Sequence, residues 1–143
     1  MDLDRISRYK DKLNIISERK QDIEEWVSGY DPSDFIEDKK TRLAVYKAFQ
    51  ELVEEYFDVA AMACKDLKII PKDDYTNIDL LFEKSIITVN LKNSLSESNG
   101  LRNRLVHRYN GLDNSLAFES IMEHLTAFSD FSEVIGKWLR SNL

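Results

Sequence analysis

Apolar side chains recur along this chain at helical spacing, and short polar stretches separate the runs. From Leu3 to about Val27 the apolar positions are Ile6, Tyr9, Leu13, Ile16, Ile23 and Val27. Steps of three, four and seven residues place them on one stripe of an amphipathic helix, with Lys20 standing at the one missing position. Gly29 lies just past its end, where left-handed backbone is often needed. Asp31-Pro32-Ser33-Asp34 then supplies turn and N-cap residues. A second helix is predicted from Ser33 or Asp38 to Leu67. Its stripe Tyr46, Phe49, Val53, Tyr56, Ala60, Ala63, Leu67 alternates steps of three and four, the cleanest periodicity in the chain.

Pro71 ends that stretch, with Lys72-Asp73-Asp74 as a polar loop. Shorter helices are predicted over Asn77 to Glu83 and over Thr88 to Ser96, the latter with Leu91 and Leu95 facing inward. Ser98-Asn99-Gly100 reads as a break or a helix irregularity, and Asn110-Gly111 as a strong turn after a helical piece Leu101 to Tyr109. Asn114 or Ser115 can cap a last helix from about Leu116 to Leu139. Its stripe is Ile121, Leu125, Phe128, Phe131 or Ser132, Ile135, and Trp138 or Leu139. The expectation is an all-α protein, an antiparallel bundle of four or five helices. No repeat or boundary divides residues 1–143, so they read as one domain. The stripes either fill a monomer core or also serve a helix-mediated dimer.

Composition narrows this picture. Only 4 Gly and 2 Pro occur in 143 residues, too few to punctuate a many-stranded β sandwich. One cysteine, Cys64, leaves no intrachain disulfide and no cysteine-cluster metal site, and two histidines leave a histidine-rich zinc site without ligands. No metal and no cofactor are expected. No apolar run approaches the roughly 18 residues of a membrane span. The start MDLDRISRYKDK has no apolar signal core. The expected location is the cytoplasm, with no membrane partner. A net charge of −6 gives no general attraction to nucleic acid, so any RNA-binding surface must be local.

One stretch departs from the acidic average. Gly100-Leu101-Arg102-Asn103-Arg104-Leu105-Val106-His107-Arg108-Tyr109-Asn110-Gly111 holds three arginines and a histidine, and no acid occurs until Asp113. Such a site suits a phosphate-bearing partner. Histidine exchanges protons near neutral pH, and arginine can grip two phosphate oxygens while staying charged. Phosphodiester cleavage needs both services, and RNA brings its own 2′-OH nucleophile. A metal-free Arg/His site therefore suits RNA rather than DNA. On an ideal helix, however, residues five apart point about 140° from each other, so Arg102 and His107 do not face one spot. Either the helix is irregular near Gly100, or the arginine wraps round, or a second subunit completes the site. The competing structural reading makes the arginines a solvated face and His107 a helix-end cap. His124 has no charged neighbours in its own helix stripe and reads as an ordinary surface or half-buried histidine. Cys64 reads as core, and Trp26 and Trp138 as core or interface anchors.

Arg102-Asn103-Arg104-Leu105-Val106-His107-Arg108-Tyr109 resembles the R-x4-H-x-Y signature of HEPN-domain toxins of the HepT type. Asp34 to Asp38 resembles the start of that family's second helix. Glu54-Glu55-Tyr56-Phe57-Asp58-Val59-Ala60-Ala61 is similar to its helix core, and Asp74-Tyr75 with the apolar residues after it to the segment leading into its active helix. The resemblance spans roughly residues 5 to 140. It implies an all-helical homodimer with the motifs lining a cleft at the dimer interface. The implied activity is a metal-independent ribonuclease toxin paired with a minimal nucleotidyltransferase (MNT) antitoxin. Some such antitoxins neutralise by transferring AMP to the motif tyrosine. Carried over by position, Arg102 and His107 match the catalytic pair. Asn103 matches the polar residue after the arginine, and Tyr109 matches the AMP acceptor. Arg104 and Arg108 are not signature positions. They read equally as RNA-backbone contacts or as partners of nearby acids. The alternative function is a non-catalytic HEPN module that binds nucleotide, RNA or a nucleotidyltransferase partner.

Overall fold

The computed structural model describes residues 1–107 and 111–142. They form α1 (Leu3–Trp26), α2 (Pro32–Glu37), α3 (Lys39–Asp66), α4 (Asp74–Glu83), α5 (Val89–His107) and α6 (Asn114–Ser141), with no strand among the described residues. The all-α expectation holds. Six helices stand among the described residues where four or five were expected: Pro32–Glu37 forms a separate short helix before α3, while α5 merges the two pieces predicted either side of the break.

Aspartates start most of these helices. Asp2, Asp31, Asp38, Asp73 and Asp113 each accept a backbone N–H three residues on, satisfying a donor that the helix itself leaves free. At α2 the capping is reciprocal with Asp34, and Pro32 presets the first helical residue. Asp113, not Asn114 or Ser115, caps α6. Asn114 instead accepts a hydrogen bond from the Tyr46 hydroxyl at 2.5 Å. After α1, Gly29 takes φ +78°, as its place in the sequence required.

Cross-helix contacts give the helix directions. Tyr9 and Arg5 meet Asp66, Lys12 meets Asp58, and Arg19 meets Glu51, so numbers rise in α1 as they fall in α3. α5 and α3 are antiparallel by the same test, through Tyr56–Leu95 and Glu54–Arg102. The α1, α3 and α6 stripes read from the sequence are the ones the core uses. Phe49, Tyr56, Phe128 and Phe131 are fully buried, with ring centroids 5.7 to 6.0 Å apart between α3 and α6. Each such pair contributes about 0.5–1.5 kcal/mol beyond its buried area. Cys64 is buried core as expected, and burial pushes its thiol pKa up. Trp138 packs edge-on against Tyr9, whereas Trp26 is 40% exposed and is not a core anchor.

Candidate functional site

α5 carries the motif, and its local construction is unusual. Thr88 Oγ1 accepts the Leu91 N–H at 3.2 Å and starts the helix. Ser98 Oγ donates to the Ser94 carbonyl at 2.8 Å, folding a competing polar group back into the helix. Leu91, Leu95, Leu101 and Leu105 are buried along the same element. That burial holds the helix through Ser98-Asn99-Gly100, where propensity alone predicts a break. Helical irregularity near Gly100 therefore does not bring Arg102 and His107 together.

Arg102 reaches α3. Its Nη2 donates to Glu54 Oε1 at 2.8 Å and its Nη1 to Asn103 Oδ1 at 3.2 Å, while Nε is buried without a partner among the described residues. The Glu54 side chain is half exposed, so this ion pair adds at most about 1 kcal/mol to stability. Its consequence is positional: the guanidinium is fixed at the surface with its stem partly covered. Asp74 lies in the same electrostatic neighbourhood. Its carboxyl is pushed above the usual range first by burial, with Asp58 and Asp73 adding and Arg102 opposing. Beneath them the Tyr56 hydroxyl donates to the Leu95 carbonyl at 2.5 Å. Burial drives the Tyr56 phenol pKa well up, with Asp74 and Tyr75 adding and Arg102 opposing. Glu54 from α3 thus pairs with Arg102, and Asp74 from the first turn of α4 acts on it electrostatically. The arginine that the sequence counted toward a basic patch is partly neutralised.

His107 is the last described residue of α5 and is exposed, with no side-chain hydrogen bond or ion pair among the described residues. A regular helix places it about 7.5 Å along the axis from Arg102 and about 140° around. Asn103 joins the two faces, since it bonds Arg102 and stands one turn before His107. Arg104 is exposed and has no carboxylate partner among the described residues. Arg108 and Tyr109 lie outside the described residues.

His124 corrects its sequence reading. It is 4% exposed, with Nδ1 2.6 Å from Ser94 Oγ and Nε2 3.2 Å from Glu97 Oε2. Ser94 and Glu97 stand three apart on α5, and only the α5–α6 register brings them to His124. A cleft of about 540 Å³ that includes Ser94 is lined by Glu123, Asp130 and Glu133, with Lys137 paired to Glu133 at 3.4 Å. Sequence reasoning also gave no site role to Glu54, Asp74 or Tyr75. The available signal was a pair of acids four apart, Glu54 and Asp58, on a helix whose other face is apolar. Among the described residues no cluster of His, Cys, Asp or Glu is arranged to hold a metal ion, and no helix is long and apolar enough to cross a membrane.

A family model described as ribonuclease HepT-like matches residues 16–135. The chain belongs to the HepT-like family. A provisionally assigned RNase of Archaeoglobus fulgidus is 38% identical over 122 residues, 83% of each chain. The mRNA nuclease HepT of Shewanella oneidensis is 29% identical, over 73% of this HepT-like chain and 80% of that protein. The solved structure of a tri-AMPylated Shewanella oneidensis HEPN toxin in complex with MNT antitoxin superposes with TM-score 0.82 at 28% identity, covering 96% of this chain and 99% of the other. A cytosolic Bacillus subtilis protein, YutE, has the same fold at TM-score 0.81 and 20% identity. Arg102 and His107, on α5, lie within the matched residues 16–135.

Proposed function

We propose that this HepT-like chain is the toxin of a HEPN/MNT toxin–antitoxin pair and cleaves RNA as a metal-independent endoribonuclease in the cytoplasm, with residues 1–143 acting as one HEPN-like domain. The observation that carries the reading is Arg102: a cation fixed by Glu54 and Asn103 on the motif helix of a chain whose relatives include an mRNA nuclease. The RNA 2′-OH attacks phosphorus. The 2′-O–P bond forms, the P–O5′ bond breaks, and the leaving 5′-oxygen takes a proton. His107 serves as general base or acid in that exchange, and Arg102 stabilises the charge on the phosphorane. Asn103 supports Arg102, and Arg104 and Arg108 hold the RNA backbone. The product is a 2′,3′-cyclic phosphate; where water then attacks its phosphorus and the P–O2′ bond breaks, with the 2′-oxygen taking a proton, a 3′-phosphate results.

Two copies are needed on this reading. Within one regular helix Arg102 and His107 diverge, so a two-fold homodimer with paired α5 helices would put two Arg/His sets into one cleft. An MNT antitoxin is the inferred partner, transferring AMP to Tyr109. The added anion would occupy the arginines and repel RNA. The engagement of Arg102 by Glu54 also favours a second reading, a binding module in which the arginine is structural.

Incubation of a labelled single-stranded RNA in EDTA with the wild type and with His107→Ala separates them. Cleavage by the wild type alone, with the oligomeric state unchanged, is the expected result. Equal cleavage by both removes His107 from the mechanism. No cleavage by an unmodified protein, its mass checked for AMP, favours the binding module.

A further inference from the structure

Gly100 sits inside an uninterrupted helix, where glycine is about 1 kcal/mol worse than alanine. The backbone does not demand it, since Gly100 lacks the left-handed φ that Gly29 shows. Nor do its neighbours: a Cβ there would meet Arg104 Nη1 at 3.7 Å and Tyr75 Oη at 4.0 Å, ordinary contacts. The molecule would accept a methyl group at this point. Gly100 is part-buried, and a larger side chain would press on the Arg104 and Tyr75 side chains.

The two groups that reach Gly100 have complementary chemistry. Tyr75 is 43% exposed, and its hydroxyl has no hydrogen-bond partner among the described residues. Arg104 is a cation without a carboxylate partner among them. Tyr75 is also firmly placed. Asp73 caps α4 through the Thr76 N–H at 2.9 Å, and the buried Asn77 amide clamps the preceding loop through the Lys72 N–H at 2.8 Å and carbonyl at 3.2 Å. Phe82, another exposed ring on α4, is instead covered by the Lys92 ammonium 4.9 Å from its centroid.

The geometry points to a nucleobase shelf over Gly100, in which a base of the RNA stacks on the Tyr75 ring and the adjoining phosphate is held by Arg104. It rests on the RNA-cleaving reading and adds the residue that touches a base. Stacking on an exposed ring is tolerant of sequence, so the shelf holds a single-stranded segment rather than reading its bases. On a regular helix Arg104 stands about 40° round from Gly100 and Asn103 about 60°, whereas Arg102 stands about 160° away and is tied to this face through its hydrogen bond to Asn103.

The test uses the full chain carrying His107→Ala, and measures binding of a short single-stranded RNA by fluorescence anisotropy in EDTA. Adding Tyr75→Ala is expected to weaken binding about 5- to 150-fold, the range for loss of one base–aromatic stack. Tyr75→Phe and Tyr75→Trp are expected to retain it, because the hydroxyl is not used. On the same strand with abasic sugars, Tyr75→Ala is expected to change nothing further. Gly100→Leu should weaken RNA binding while Gly100→Ala preserves it. The shelf is overturned if Tyr75→Ala binds RNA as tightly as its parent, or loses as much affinity for the abasic strand. It is also overturned if Gly100→Leu leaves RNA binding intact and splits a dimer, which makes the surface over Gly100 a contact between copies. Cleavage by the unmutated chain is read separately. Cleavage with Tyr75-independent binding removes the shelf alone. Tyr75-dependent binding without cleavage keeps the shelf and removes the catalytic reading. Neither binding nor cleavage overturns both.

Discussion

α3 and α5 lie antiparallel in the same bundle, and they are built on opposite terms. Every buried residue of α3 is apolar or aromatic apart from the Cys64 thiol, and its stripe can be read without knowledge of the fold. α5 buries leucines too, but between them it carries Ser98 and Asn99, both nearly inaccessible, and then Gly100. The Asn99 Oδ1 and the Arg102 Nε are buried without hydrogen-bond partners among the described residues, whereas the buried Glu55 Oε2 of α3 has the Lys12 ammonium 3.5 Å away. Unpaired groups are rare in a settled core, because leaving a buried acceptor or donor unpaired costs about 1–3 kcal/mol. α3 is selected for packing. α5 accepts poor helix formers and unpaired polar atoms in the turn that precedes and includes the motif arginine, which is where a working surface is expected to break local rules.

Four substitutions or conditions sharpen that contrast. The largest effect belongs to α3: Phe49→Ala should destabilise by about 3–5 kcal/mol in urea denaturation, since the ring is fully buried against Phe128. A loss below about 1 kcal/mol would mean that α3 is not the structural spine. Alkali attacks the same layer. The Tyr9 and Tyr56 phenols are pushed up in the fold, Tyr9 by burial and then by Asp66, and Tyr56 by burial. Groups raised on folding stabilise fully below their unfolded pKa of about 10 and lose that contribution as pH rises beyond it. Stability should therefore fall above about pH 10, by up to about 1.4 kcal/mol per pH unit for each phenol. In a Tyr9→Phe, Tyr56→Phe double variant the decline should be shallower, and an unchanged decline assigns it elsewhere.

The effects on α5 should be smaller and of opposite sign. Asn99→Ala removes an unpaired buried acceptor and improves helix propensity, so a gain of about 1 kcal/mol is expected. A loss of that size would show that the amide has a structural partner. Gly100→Ala should gain about 0.5–1 kcal/mol, read as a higher urea midpoint. A destabilised Gly100→Ala would show that the helix needs the glycine for its own geometry, which would end the contrast with α3.

The legible part of the sequence was the part governed by periodicity. Ile6, Tyr9, Ile16 and Ile23 on α1, the α3 stripe and the α6 stripe from Ile121 to Leu139 all face the core as their spacing required. Boundaries were harder. Ser98-Asn99-Gly100 has break composition, but four buried leucines outweigh it, and that energy comes from neighbours absent from the local sequence. Asp113 took the cap from Asn114 because Asn114 is used by Tyr46, 68 residues away. The motif itself was readable as residue types, while its surroundings were not. Glu54 meeting Arg102 across 48 residues, and Ser94 and Glu97 meeting His124, depend on helix register, which periodicity leaves open.

The central claim is that the α5 surface around Arg102 works on RNA. The most direct measurement is the cleavage rate of a labelled single-stranded RNA in EDTA by the wild type and by Arg102→Ala, each first shown by urea denaturation to be folded. The account predicts that Arg102→Ala is at least about 100-fold slower, the scale of losing one preorganised charge contact in the transition state, with stability changed by less than about 1 kcal/mol. An Arg102→Ala protein that cleaves at the wild-type rate would contradict it, and would leave Arg102 as half of an ion pair with Glu54.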